Sequence, residues 1–178
     1  MHHLGQNAAL LRIYQKQYKD ASSWFHRAET LLEKAPVDDP EYSRLRTISQ
    51  YNRGLMYYEQ QNYAKAERCF QEVIKSSQNI EWERATLYAQ NFMAEIAIKQ
   101  NRLDEAEHLL LIGLTMPACN QDKLRLACYK CSLARLYKMR ENLKEAYHWA
   151  KAAQDGFDRL GMKSEAEEMQ TISELTAT

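Results

Sequence analysis

Glycine and proline are scarce, five and three in 178 residues, well below the usual ~7% and ~5%. A β-rich chain needs those residues for its turns and bulges, so their scarcity argues against strands and leaves helix. Charge of one sign is missing too. The 24 Lys and Arg offset 24 Asp and Glu, and each half is balanced, 12 basic against 11 acidic in residues 1–89 and 12 against 13 in residues 90–178. No global field would recruit nucleic acid or an anionic membrane. Long apolar runs are also absent, since stretches such as Leu109 to Leu114 fall far short of the ~20 residues that cross a bilayer. The opening Met1-His2-His3-Leu4-Gly5 lacks the basic start and apolar stretch of a secretory signal, so the cytoplasm is the expected location. Four cysteines, Cys69, Cys119, Cys128 and Cys131, are too few for a disulfide framework in a chain of this size and suit a reduced interior.

Catalytic chemistry is equally thin. Cys128-Tyr129-Lys130-Cys131 is a C-x-x-C inside a predicted helix, without the second ligand pair of a zinc site or the βαβ context of a redox motif. His2, His3, His26, His108 and His148 share no spacing that defines a cluster. No Gly-rich phosphate loop, nucleophile elbow or H-E-x-x-H occurs. The expectation is a protein without enzymatic activity, cofactor or metal.

What the sequence does have is a repeat. Tyr18-Lys19-Asp20-Ala21, Tyr63-Ala64-Lys65-Ala66, Leu103-Asp104-Glu105-Ala106 and Leu143-Lys144-Glu145-Ala146 recur with alanine spacings of 45, 40 and 40. Each follows a short polar break, and nine residues before each segment stands a small residue: Ala9, Gly54, Ala94 and Ala134. Four and seven residues after the segment alanines come Phe25 and Ala28, Phe70 and Val73, Leu110 and Gly113, Ala150 and Ala153. The pattern predicts helical hairpins whose two helices cross closely at a small residue, stacked because one hairpin cannot bury its apolar face alone. First helices are expected at about Leu4–Gln15, Glu41–Gln60, Glu81–Gln100 and Asp122–Arg140. Second helices are expected at about Tyr18–Lys34, Tyr63–Ser76, Leu103–Met116 and Leu143–Leu160, with a Glu-rich capping helix at about Lys163–Leu175. The extra length of the first period falls in Ala35-Pro36-Val37-Asp38-Asp39-Pro40. Pro117 is expected to stop the third unit, and Gly161 to permit the turn into the cap.

This pattern resembles the tetratricopeptide repeat, most clearly over Gly54-Leu55-Met56-Tyr57-Tyr58-Glu59-Gln60-Gln61-Asn62-Tyr63-Ala64-Lys65-Ala66 with Phe70 following. The period of about 40 rather than ~34 is similar to the long repeats of kinesin light chains, peptide-sensing bacterial regulators and the sensor arms of STAND-type signalling ATPases. The resemblance implies an all-α fold, a right-handed α-α superhelix of four hairpins plus a cap. Residues 1–178 would form one solenoid, with units at about 1–35, 41–78, 81–117 and 122–160.

The resemblance also implies that first helices line a concave groove. Positions three before, one after and four after the small residue share one helical face. In the first unit they are Gln6, Leu10 and Ile13; the groove residues proper are Tyr51, Leu55, Tyr58, Asn91, Glu95, Ile98, Cys131, Arg135 and Lys138. The lining passes from apolar and aromatic to basic, complementary to a peptide or helix with apolar residues at one end and acidic ones at the other. Arg135 and Lys138 are the candidates for specificity, and Asn52 and Asn91 could bond an extended peptide backbone. Only the fourth first helix is basic, which does not suit RNA-binding repeats. The reading is a scaffold or adaptor module that binds a protein partner. The alternative is a ligand-sensing arm of a larger signalling protein, and a third reading has the uncapped first hairpin forming a homodimer.

Overall fold

The computed structural model describes residues 12–13, 15–33 and 39–176. Among them are nine helices and no strand: α1 (Tyr18–Glu33), α2 (Pro40–Glu59), α3 (Tyr63–Asn79), α4 (Glu83–Lys99), α5 (Leu103–Thr115), α6 (Pro117–Gln121), α7 (Lys123–Met139), α8 (Leu143–Arg159) and α9 (Lys163–Thr176). Their ends fall within three residues of those read from the sequence, α6 apart. Arg12 and Ile13 are helical; Gln6, Ala9, Leu10 and most of the expected first helix lie outside the described residues, as do Ala35 to Asp38. The chain forms two compact units, one ending at Ala89 and the other beginning at Gln90.

Helix starts follow from local chemistry. The side chains of Asn62, Asp122 and Asn142 accept the amides of Lys65, Arg125 and Glu145 at 3.4, 3.0 and 3.3 Å, which satisfies otherwise orphaned N–H groups of α3, α7 and α8. Asp39 caps α2 by accepting the amide of Glu41 at 2.8 Å, and Pro40 takes the first helical position, where its missing N–H costs nothing. Pro117 does the same for α6. It therefore begins a short helix as well as ending α5, whereas the sequence reading had only a break there.

Helix ends explain how the chain manages with so little glycine. Lys16, Gln61, Asn101 and Glu141 have φ between 57° and 60°, and they recur at the repeat spacing. Each sits in a reversed-hand turn closed by two amides reaching back into the helix. Asn62 N–H donates to Tyr57 O and Gln61 N–H to Tyr58 O, both at 2.8 Å, and Asn142 and Glu141 bond Tyr137 and Lys138 in the same way. Glu81 and Gly161 close the turns after α3 and α8 by the same pattern. Glycine usually fills this left-handed position, yet among the described residues only Gly161 does.

The repeat positions form the cores. Ala21, Ala66, Ala106 and Ala146 are all fully buried. In the first unit α2 crosses α3 at Gly54, where a Cβ would stand 2.7 Å from the Phe70 ring. In the second, Gly113 of α5 meets the ring of buried Tyr129 on α7, and Gly156 of α8 meets Ala127. The last helix seats Ala166, Met169 and Ile172 against Ala127, Cys131, Ala134, Ala150, Ala153 and Phe157. Its apolar face thus closes the second unit's core.

Candidate functional site

Helix α7 carries the basic run of the sequence, and the fold spends much of it on internal partners. Arg125 donates to Asn91 Oδ1 at 3.0 Å. Asn91 Nδ2 donates to Ser132 Oγ at 3.2 Å, and the Ser132 hydroxyl donates to Glu95. Arg135 then reaches both ways. Its Nη1 lies 3.3 and 3.4 Å from the two Glu95 oxygens, and its Nε and Nη2 make a two-pronged pair with Glu168 at 2.9 and 2.8 Å. Polar side chains of α4, α7 and α9 are thereby joined in one chain. Asn91 and Glu95 can be buried, at 4% and 8% exposure, because their polar atoms are used in this way. Burial works against the Arg135 charge, but the Glu168 bonds and the neighbouring charges outweigh it and raise its pKa.

Beside this network opens a cleft of about 690 Å³. Helix α4 contributes Glu95, Ile98 and Lys99; α7 contributes Arg135, Lys138 and Met139; α9 contributes Glu168, Thr171 and Ile172. Ile98 and Ile172 are buried, while Met139 stands 49% exposed. Lys99 and Lys138 are exposed, and among the described residues neither makes an ion pair. The cleft therefore offers an apolar floor with two cations free at its rim, since both of its carboxylates are engaged by Arg135.

Four of the nine expected groove residues, Glu95, Ile98, Arg135 and Lys138, come together here. Asn91 and Cys131 do not line the cleft: Asn91 holds Ser132 and Arg125, and Cys131 packs into the core under α9. Tyr51, Leu55 and Tyr58 are half-buried in the first unit. Tyr51 packs on Phe70 and Tyr88 with ring centroids 5.8 and 6.2 Å away, and Tyr58 packs on Tyr63 at 6.0 Å. Asn52 is buried with its Nδ2 unpaired. Sequence reasoning missed Lys99, Met139, Glu168, Thr171 and Ile172. Lys99 and Met139 each follow an expected groove position by one residue, so a wider helical face would have found them. The α9 residues were hidden because that helix reads as a polar cap.

Arg140 caps the end of α7. Arg140 pairs with Glu107 at 2.7 Å and with Asp104, and Tyr137 donates to Glu107. That hydroxyl, with Arg140, holds the Glu107 carboxyl below its usual range. Burial pushes the thiol pKa of Cys131 up to about 12 and those of Cys69 and Cys119 up to about 11, the signature of inert core cysteines. Among the described residues no group of three or more His, Cys, Asp or Glu is placed to hold a metal ion, and no helix is long and apolar enough to cross a membrane.

Comparison with known proteins agrees with this architecture. Residues 48–79 match the tetratricopeptide repeat. The fold is similar to the crystal structure of BtubC (BKLC) from P. vanneervenii, with a TM-score of 0.68 at 16% identity over 95% of this chain and 76% of that one. At that identity the likeness is one of fold. No curated protein matches the sequence. One stretch of the chain, residues 48–79, thus matches a tetratricopeptide repeat, and the described residues form an all-α fold of the helical-repeat kind. Repeats of this kind generally mediate protein–protein interaction and scaffolding.

Proposed function

We propose that residues 1–178 act as one interaction module that seats a peptide or helix of a partner protein, in a scaffold or adaptor role. The observation that carries this reading is the cleft among α4, α7 and α9. Its apolar floor of Ile98 and Ile172 accepts a hydrophobic side chain, Met139 adapts its flexible thioether to that side chain's shape, and Lys99 and Lys138 pair acidic groups on either side. Arg135, expected from the sequence to meet the partner's acid, serves instead to hold the wall, because Glu168 and Glu95 already occupy its donors. Mechanism here is a preformed surface. The ordering is done on folding, so little of it is charged against binding. Rim lysines steer and select, while the apolar contact supplies most of the residence time.

The test is a comparison of proteins retained by the wild-type chain and by Lys99→Glu/Lys138→Glu, a variant that leaves every internal bond described above in place. Loss of a discrete partner with an unchanged melting curve supports the reading. Retention of the same partner at the same affinity refutes the cleft as its seat.

A further inference from the structure

The lysines of α7 that the first cleft does not use line another. Lys123 and Lys130, with Arg159 of α8, surround a cleft of about 460 Å³ between the first half of α7 and the last half of α8. Its apolar lining is Leu126, Ala152 and Leu160, the last of these 39% exposed. Gly156 lets the helices approach there, its Cβ position being 2.9 Å from Ala127. No aromatic residue lines it, and Asp155 is the one acid against three cations. Among the described residues none of those three cations makes an ion pair. Lys123 also stands in the first turn of α7, the end of a helix where a positive charge is disfavoured. A concentration of unpaired cations around an apolar hollow, in a chain of zero net charge, does nothing for stability and is complementary to an anion that carries an apolar group.

We infer that this cleft is a second docking site, for an acidic segment of a partner protein in which carboxylates flank an apolar side chain. The apolar side chain fills the hollow over Leu126 and Ala152, and the carboxylates meet Lys123 and Lys130 on one side and Arg159 on the other. A single-stranded nucleic acid fits less well, because such sites stack bases on aromatic rings and this one has none. The site shares no lining residue with the cleft among α4, α7 and α9, so the two stand or fall separately.

The probe is an acetylated, amidated Glu-Glu-Leu-Glu-Glu peptide titrated into the full chain and followed by amide chemical shifts, with Gln-Gln-Leu-Gln-Gln as control. Saturable shifts are expected at Leu126, Ala127, Ala152 and Gly156, absent with the Gln peptide. Lys130→Gln/Arg159→Gln should weaken the shifts at those four positions at least tenfold, and Lys144→Gln, exposed on α8 outside both clefts, should leave them unchanged. The inference is overturned by an absence of saturable shifts at Leu126, Ala127, Ala152 and Gly156, whatever is seen around Met139 in the first cleft, or by equal binding of the Gln peptide there. A thymidine decamer that produces the same shifts more tightly would assign the cleft to nucleic acid and overturn it as well.

Discussion

Replacing Arg135 by Met keeps the aliphatic stem and removes the guanidinium, and the structure sets the cost. The pair with Glu168 involves side chains 36% and 45% exposed, so screening limits its loss to about 1 kcal/mol. Glu95 is different, with its side chain only 11% exposed. Stripping the cation from a buried carboxylate costs ~3–5 kcal/mol. Here the long 3.3 Å contact and the remaining Ser132 bond reduce that to about 1–2 kcal/mol. The total is about 2–3 kcal/mol, and for a chain of this size each kcal/mol moves Tm by roughly 2–4 °C. Arg135→Met should therefore melt about 4–12 °C below wild type by circular dichroism. In a double-mutant cycle with Glu168→Gln the coupling should be about 0.5–1 kcal/mol. An unchanged Tm would mean that Arg135 is a free surface cation and that the wall of the cleft is not built as described.

Other consequences are sharper for being local. Gly113→Ala drives a Cβ into the ring of fully buried Tyr129, which overpacks the core and should cost about 2–3 kcal/mol in urea unfolding. Gly161→Ala meets nothing within 4 Å at φ +73° and should lose only about 1 kcal/mol by the same assay. Glu141→Gly relieves a left-handed non-glycine residue and should stabilise by about 0.5–1 kcal/mol, read as a higher urea midpoint at constant slope. Because the Glu107 carboxyl is held below its ordinary value of 4.5 in the fold, its contribution is complete above that pH and lost as pH falls through the lower folded value. Tyr137→Phe, removing the hydroxyl that stabilises this carboxylate, should flatten the acid limb of stability against pH; an unchanged limb would count against the bond.

Most of the fold was legible because the repeat writes packing directly into spacing. The buried alanines at 21, 66, 106 and 146 and the close crossings at Gly54 and Gly113 follow from residues that only a helical hairpin needs at those intervals. The helix-ending turns were less so, since Gln61 and Glu141 carry no propensity for φ near 58° and are held there by the paired backbone bonds of the whole hairpin. The cleft was half legible. A helical face identified Glu95, Ile98, Arg135 and Lys138, but nothing in the spacing of one helix says that Arg135 will be claimed by Glu168 from 33 residues further along. Charge runs reveal where cations are, and only the packed neighbours decide which of them remain free.

A cleft among α4, α7 and α9 that seats a protein segment should capture that segment by site-specific photocrosslinking. A benzophenone amino acid at Met139, inside the cleft, is compared with one at Leu111, exposed on α5. A discrete protein adduct is expected from position 139, absent from position 111 and lost when Lys99 and Lys138 are reversed to Glu. No adduct at 139, or the same adducts from both positions, would contradict it.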